Sequence, residues 1–302
     1  YIPKYLEKIS IKELKFKRHL KPTISLFIPQ IAIQIYTVLD KTMIGAIMND
    51  MEEVGYYEQA QKVVKAALTV VTALQTVMNS RIANSYVNKD EDEVKLCLEK
   101  SFNFVWILAI PMMFGLIAIA PKFVPWFYGS GYEEVIPILI ATSPILVVLG
   151  LNGVTGTQYL VQVKKQRKFT VSVTVGAIVN ILLNLILIQF FGVVGATVAS
   201  VLAETAVLAV QLKYFKNQFS ILQILKLGFK CFIAGIIMFF VVHFLVGCLN
   251  VSVINTILEI IVGGIVYIIT LLILKHKFLF DIINQIINGI GTKIKNFQQK
   301  NI

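Results

Sequence analysis

The chain has 302 residues, of which 57% are hydrophobic and only 15% are charged, and its formal net charge is +11. Soluble domains carry about 25% charged residues, so this composition, together with a mean hydropathy of +0.76, excludes an ordinary soluble protein. It predicts an all-α integral membrane protein.

Eight apolar segments are long enough to cross a bilayer core of about 30 Å, which takes about 20 helical residues. In chain order they cover residues 22–47, 54–80, 100–120, 135–161, 169–191, 193–212, 228–249 and 252–274. Basic amphipathic segments flank them at residues 1–21 and 276–302. We therefore predict about eight transmembrane helices, with a cytoplasmic linker before them and a cytoplasmic interfacial tail after them.

The basic residues are distributed unequally between the two sides of the predicted membrane. Alternate connections and the two ends of the chain hold 24 of the 28 lysines and arginines, whereas the opposite connections hold only Lys122. Because basic loops stay cytoplasmic, both ends are predicted to lie in the cytoplasm, with the helices in the cell membrane. The positive charge then reflects loops that face an anionic leaflet, and no nucleic-acid partner is expected.

Two polar stripes run along the first two predicted helices. In the second helix the polar positions are spaced alternately by four and three residues, which places them on one helical face. They are Glu58, Lys62, Lys65, Thr69, Thr72, Thr76 and Asn79. The stripe of the first helix consists of Thr23, Gln30, Gln34, Thr37 and Lys41. Asp40 lies beside its end, and Glu58 is spaced to pair with Lys62 one turn away.

Two interpretations of these stripes are open. Polar side chains can join neighbouring membrane helices through hydrogen bonds, and one or two of them would suffice for that role. Charged side chains inside a membrane usually face a water-filled cavity. Because the stripes run from one interface to the other, we favour a cavity. Its cationic part would lie in the outer half of the span and suit an anionic, hydroxyl-rich cargo.

The later helices carry further polar and small residues. The glycine-rich segment at residues 149–160 indicates either a broken helix, as in transporters, or close helix packing. Asn180 and Asn184 share a face of the fifth helix, and Ser200 and Glu204 share a face of the sixth. Glu204 is either an ion-coupling site or a carboxylate bonded to an asparagine, and we favour the second. The candidates for coupling are Asp40, Asn180, Asn184 and Glu204.

No catalytic or metal-binding pattern is present in the sequence. The three cysteines lack metal-ligand spacing, and the three histidines are scattered along the chain. The predicted outer loops are short, and the longest covers residues 122–134. We therefore expect a protein that is not an enzyme and that has no cofactor and no metal.

A series of short motifs resembles the Wzx-type polysaccharide flippases of the multidrug/oligosaccharidyl-lipid/polysaccharide (MOP) exporter superfamily. The motifs are VLDKTMIGAI (38–47), EVGYYEQAQKVVK (53–65), RIANSY (81–86), GTQYL (156–160), GAIVNILLN (176–184) and GVVGATVASVLAET (192–205). They occur in the family's order over most of residues 22–215. The chain departs from the family where a proline is expected, at Asn79–Ser80 and at Gln189.

The resemblance implies a fold of two six-helix bundles, of which this chain supplies the second, at residues 22–215. Two additional helices would follow within residues 216–275, and an N-terminal lobe would precede Tyr1. The implied activity is the flipping of undecaprenyl-pyrophosphate-linked oligosaccharides across the cytoplasmic membrane by alternating access, for capsular or exopolysaccharide biosynthesis. The implied partners are that lobe, the lipid-linked cargo, membrane lipids, a polysaccharide polymerase and a chain-length regulator.

The resemblance also implies a cationic central cavity, and the lysines of the two stripes fall where that cavity would be. The predicted cargo-binding residues are therefore Lys41, Lys62, Lys65, Gln30, Gln34, Thr37, Glu58, Thr69, Thr72 and Thr76.

Other functions remain open at this stage. A lipid II flippase would share the cationic cavity and the additional helix pair. A drug or cation antiporter of the same superfamily would need an acidic cavity, whereas lysines outnumber carboxylates here. A membrane-embedded polymerase or glycosyltransferase would need a catalytic carboxylate or a large outer loop.

The predicted topology places Lys165 in the cytoplasm and Glu53 and Tyr132 outside the cell. In a cysteine-free protein, single cysteines at positions 53 and 132 should react with a membrane-impermeant maleimide in intact cells, because only outer loops are accessible. A cysteine at position 165 should react only after permeabilisation. Labelling of position 165 in intact cells would contradict this topology.

Overall fold

The computed structural model describes residues 16–216 and 218–284, and the regular secondary structure of these residues is entirely helical. The helices are α1 (Phe16–Met48), α2 (Met51–Val71), α3 (Gln75–Val87), α4 (Glu91–Tyr128), α5 (Val135–Thr142), α6 (Ile145–Asn152), a π-helix (Gly153–Val161), α7 (Gln166–Phe215), α8 (Ile221–Cys248) and α9 (Val253–Ile273). The all-α prediction is confirmed. Only part of the predicted linker and tail is described, and residues 16–21 belong to α1.

Six helical segments of this described part are long and apolar enough to cross a membrane, or seven if the bent pair α2–α3 forms one span. One of them, α7, has 50 residues and would be about 75 Å long if it were straight. It instead reverses at Gly192, where φ is 56° and ψ is −137°. Counting its arms at 166–191 and 193–215 separately, the described chain has the eight predicted crossings.

Contacts between the two arms of α7 show that they form an antiparallel pair. Asn180 Nδ2 in the first arm lies 3.4 Å from Ser200 Oγ in the second, although a straight helix would separate these residues by about 30 Å. At the turn, a Cβ on Gly195 would lie 2.1 Å from the carbonyl oxygen of Leu187. The reversal therefore depends on two glycines. Gly192 supplies the positive φ of the turn, and Gly195 allows the close approach of the two backbones.

The second predicted helix, at residues 54–80, is bent in the structure. Helix α2 ends at Val71 and α3 begins at Gln75, with 45° between their directions. The Thr72 hydroxyl donates to the Leu68 carbonyl at 2.9 Å. Such side-chain bonds compete with the helical ladder and favour a bend. The prediction of one continuous polar stripe was wrong, because the residues beyond the bend lie along a different axis.

The fourth predicted span consists of α5, α6 and the π-helix, and the π-helix occupies much of the glycine-rich segment. Residues 135–161 nevertheless form one continuous helical span, so the segment is an irregular helix and not a broken one. The alternative, close packing, is the one that the structure supports. A Cβ on Gly150 would lie 2.6 Å from Val105, and one on Gly156 would lie 2.7 Å from the Gln211 amide.

Helices α8 and α9 form an additional pair that packs on α4. Trp106 Nε1 of α4 donates to the Ile224 carbonyl at 3.1 Å, and near the opposite end of α4 Trp126 Nε1 donates to Thr256 Oγ1 at 2.8 Å. The outer faces of the pair are apolar and exposed, for example at Phe229, Phe240, Phe244, Ile254 and Ile260. An exposed apolar surface of this extent fits a protein surrounded by lipid.

Replacing Gly195 with alanine should destabilise the protein, because the new methyl group would overlap backbone atoms of Leu187. Overpacking of this kind costs about 1–3 kcal/mol. Gly264→Ala is the matched control, since nothing lies within 4 Å of the corresponding Cβ. Thermal unfolding in detergent, followed by size-exclusion chromatography, should show a lower transition for Gly195→Ala only. Equal unfolding temperatures for the two variants would contradict the antiparallel arrangement of the two arms of α7.

Candidate functional site

A cluster of charged residues lies on the exposed face where α1 meets α2. Lys41 Nζ donates to the Glu58 carboxylate, and the two side chains are 34% and 39% exposed. Lys62 and Lys65 follow Glu58 at helical spacing and are both exposed. We refer to Lys41, Glu58, Lys62 and Lys65 as the lysine cluster. It brings together three positive charges and one negative charge.

The lysine cluster is assembled by the short connection between α1 and α2. Asn49 takes a positive φ of 54°, and Asp50 caps α2 by accepting a bond from the Glu52 N–H at 2.8 Å. The two helices therefore run in opposite directions, and Lys41 reaches Glu58. The predicted pairing of Glu58 with Lys62 was wrong: the Nζ atom of Lys62 instead lies 3.5 Å from Gln59 Oε1.

An open groove of about 590 Å³ runs along α1. Gln30, Gln34 and Thr42 contribute its polar groups, and Phe27, Ile31, Val38 and Leu39 complete the lining. Thr37 is half-buried, and its hydroxyl donates to the Ile33 carbonyl at 2.7 Å. The stripe predicted on α1 is therefore part of an amphipathic groove, in which amide groups alternate with apolar side chains.

The threonines of the second stripe bond mainly within their own helix. Thr69 Oγ1 donates to the Ala66 carbonyl at 2.6 Å, and Thr72 donates to Leu68 as described above. Thr69 and Thr76 are exposed, and Thr72 is half-buried. Since their hydroxyl hydrogens point to the backbone, Thr69 and Thr72 offer a ligand only oxygen lone pairs.

A second polar group is buried behind the lysine cluster and is centred on Asp40, which is only 3% exposed. Its Oδ1 accepts from Asn184 Nδ2 at 2.6 Å. Its Oδ2 accepts from Ser200 Oγ at 2.7 Å and from the Tyr57 hydroxyl at 3.1 Å. Asn184 also donates to Asn180 Oδ1 at 3.2 Å. Four of the predicted spans thus meet at a single carboxylate.

Glu204 lies one turn beyond Ser200 and is the centre of a second buried group of hydrogen bonds beside that of Asp40. Its Oε1 accepts from the Tyr36 hydroxyl at 2.5 Å, and its Oε2 accepts from Asn152 Nδ2 at 2.8 Å. The bond to an asparagine is the one expected if Glu204 has a structural role. All four coupling candidates therefore lie inside the lobe, away from the exposed lysines.

Sequence reasoning missed Tyr36, Tyr57 and Asn152 as hydrogen-bond partners of Asp40 and Glu204. Tyr36 precedes Asp40 by one helical turn, and this spacing was a signal that could have identified it. The other two are recognisable only from the tertiary structure, because their partners are distant in sequence. Within the described ranges, no group of three histidine, cysteine, aspartate or glutamate side chains is arranged to hold a metal ion.

Comparisons with known sequences find proteins of polysaccharide biosynthesis and transport that are similar to part of this chain. A family model described as a polysaccharide biosynthesis protein matches residues 4–137. The chain is 24% identical over 205 residues to a probable low-salt glycan biosynthesis flippase of Haloferax volcanii, covering 67% of this chain and 43% of that protein. It is 21% identical over 213 residues to a putative O-antigen transporter of Escherichia coli, covering 70% and 51%.

A third relative is the lipid II flippase MurJ of Bacillus subtilis, which is 26% identical over 190 residues, covering 58% of this chain and 34% of MurJ. The chain thus spans about a third to a half of the length of these curated relatives.

Two solved structures share the fold. A lipid II flippase MurJ in an inward closed conformation superposes with a TM-score of 0.75 and 22% identity, covering 92% of this chain and 58% of that one. An outward-facing MATE family transporter superposes with a TM-score of 0.58 and 16% identity, covering 82% and 63%.

The length and apolar composition of the described helices are those of a multi-pass membrane protein. Part of the sequence is similar to proteins of polysaccharide biosynthesis and to flippases, and the fold is similar to that of a lipid II flippase and of a transporter of the MOP superfamily.

Replacing Asp40 with alanine should strongly destabilise the lobe. The change leaves three buried donors without their acceptor, and each such loss costs about 1–3 kcal/mol. Asp92→Ala, at an exposed position in the first turn of α4, is the control and should change stability by less than about 0.5 kcal/mol. Thermal unfolding in detergent would test both. An Asp40→Ala protein as stable as the control would show that the network does not hold the helices together.

Proposed function

We propose that the chain forms one lobe of a flippase that moves undecaprenyl-pyrophosphate-linked oligosaccharides across the cytoplasmic membrane for capsular or exopolysaccharide biosynthesis. The observation that carries the proposal is the lysine cluster. Its three lysines outnumber its single carboxylate, which is paired with Lys41, and they lie on the exposed face of α1 and α2 inside the predicted membrane spans. The family model and the names of two relatives support a polysaccharide cargo.

The depth of the lysines favours a hydrated cavity over contact with lipid. Lys62 lies about 16 Å along α2 from Met51, well inside the span. A charge near the centre of a membrane helix costs about 2.5–3.5 kcal/mol on insertion scales. This cost is removed if the lysines face water, and lysine ammonium groups bind phosphate as point charges. A pyrophosphate entering the cavity would thus meet Lys62 and Lys65 together with Lys41.

The groove on α1 suits the remainder of such a cargo. The amides of Gln30 and Gln34 can both donate and accept hydrogen bonds, as sugar hydroxyls require. The exposed hydroxyls of Thr69 and Thr76 and the half-buried hydroxyls of Thr37 and Thr72 add acceptors. We assign these four threonines and the two glutamines, with Glu58, to the cargo-facing surface.

The proposed mechanism is alternating access between this lobe and a preceding N-terminal lobe. Asp40, Asn180, Asn184 and Glu204 remain candidates for coupling, but their bonds within the lobe favour a structural role. A polymerase and a chain-length regulator are the proposed partners in the pathway. Both ends of the chain are proposed to lie in the cytoplasm, because they carry the basic segments.

A lipid II flippase is the second candidate, because the MurJ structure superposes on 92% of this chain. Both cargoes contain a pyrophosphate, so the lysine cluster fits either. An antiporter is less well supported, because the carboxylates Asp40 and Glu204 are buried and fully bonded rather than exposed in the cavity. Rescue of a strain that lacks its lipid II flippase would favour the second candidate.

Lys62→Gln and Lys65→Gln should each lower flipping, and the double variant should be nearly inactive, because the pyrophosphate loses its positive partners. Lys→Arg should be tolerated better than Lys→Gln, since it keeps the charge. The measurement is surface polysaccharide in a flippase-deficient strain that expresses the variant together with the N-terminal lobe, normalised to protein abundance in the membrane.

The control is the double variant Lys95→Gln, Lys213→Gln, which removes the same charge at exposed positions outside the cluster. It should export normally. Full export by Lys62→Gln, Lys65→Gln at normal abundance would show that these lysines do not bind cargo.

A further inference from the structure

A separate basic pocket of about 340 Å³ lies where the beginnings of α4 and α8 meet the segment after α9. Four lysines line it: Lys100 from α4, Lys226 and Lys230 from α8, and Lys277 from the segment after α9. Two carboxylates, Glu99 and Asp281, also line it. The lining therefore has an excess of positive charge. Its position beside α8 and α9 separates it from the lysine cluster on α1 and α2.

The lysines of this pocket are not neutralised by ion pairs. The ion pairs within 4.0 Å in the described part of the chain are Lys41–Glu58 and Arg81–Glu93, neither of which belongs to the pocket. Lys230 Nζ donates to the Lys275 carbonyl at 3.0 Å, which fixes its ammonium group beside the pocket. The uncompensated charge is thus held on a concave surface and can attract an anion.

A buried histidine adds a polar group to the wall of the pocket. His276 is only 4% exposed, and its Nε2 lies 3.6 Å from the Cys231 sulfur. Its Nδ1 is also buried, so His276 forms part of the wall of the pocket and leaves the binding of an anion to the lysines.

The surroundings of the pocket are apolar and exposed. Leu96 is part of its lining and is 43% exposed, and nearby Leu225, Phe229 and Ile273 are 55%, 63% and 73% exposed. A charged pocket bordered by such a surface suits a molecule with an anionic head and apolar chains. Basic pockets between membrane helices at the cytoplasmic face bind the head groups of anionic lipids.

We propose that this pocket is a binding site for an anionic phospholipid, with the phosphate held by Lys100, Lys226, Lys230 and Lys277. The acyl chains lie on the exposed apolar surface of α8 and the end of α9. All four lysines come from segments that the charge bias assigns to the cytoplasmic side, which is the leaflet richest in anionic lipid in this topology. The site is independent of the proposed cargo.

Trp106 provides a reporter for this site, because it packs on Gly228 one turn from the pocket, whereas Trp126, the other tryptophan, lies near the far end of α4. The experiment uses the chain with Trp126→Phe in phosphatidylcholine nanodiscs and titrates brominated phosphatidylglycerol. Quenching of Trp106 should saturate with phosphatidylglycerol, and brominated phosphatidylcholine should quench only weakly and in proportion to its amount.

The double variant Lys226→Gln, Lys230→Gln should bind the anionic lipid more than tenfold more weakly, since each basic residue contributes about fivefold. The control Lys213→Gln, Lys216→Gln removes the same charge at exposed positions outside the pocket and should change the affinity less than twofold. Equal melting temperatures in pure phosphatidylcholine would confirm that both variants are folded.

Three results would overturn the proposal. The first is an equal loss of affinity in both double variants, which would mean that only the overall charge matters. The second is equal quenching by the two brominated lipids. The third is complete loss of the phosphatidylglycerol effect in excess inorganic phosphate, which would identify the ligand as a free phosphate.

Discussion

The packing of the helices depends on the requirement that a buried carboxylate in a membrane must have its oxygens hydrogen-bonded. Asp40 meets this requirement with donors from α2 and from both arms of α7. Lipid offers no alternative donor, so separating these helices would leave a charge and several polar groups unsatisfied. The apolar contacts of the lobe are less specific, because lipid tails solvate apolar side chains as well as neighbouring helices do.

This constraint also determines where the lysine cluster faces. Asp40 and Lys41 are consecutive residues, and consecutive side chains on a helix point about 100° apart. Fixing Asp40 toward α7 therefore turns Lys41 toward α2, where it meets Glu58. The buried network and the exposed cluster are two sides of the same helix, so the geometry of the proposed cargo surface depends on residues that the cargo never contacts.

The sequence alone predicted the spans well, because the apolar core of a bilayer requires helices that are apolar and long enough to cross it. Asp40, Asn180, Asn184 and Glu204 were conspicuous as polar residues in apolar helices, and the structure shows them buried and hydrogen-bonded, whereas their role in coupling stays a prediction. The sequence did not predict the bend after Val71, because a threonine that bonds its own backbone has the same spacing as one that faces a cavity. The bond between Lys41 and Glu58 depends on the turn between α1 and α2, because only this turn brings two residues that are distant in sequence together.

The reversal at Gly192 has a consequence for how the protein enters the membrane. The two arms of α7 are joined without a polar loop, and the residues before the turn, Phe190 and Phe191, are apolar and exposed. Carrying this turn through the bilayer transfers almost no charge, whereas the opposite ends carry Lys165 and Lys213. In the proposed topology, the pair can therefore insert as a single unit from the cytoplasm, with the closed end leading and both charged ends remaining behind.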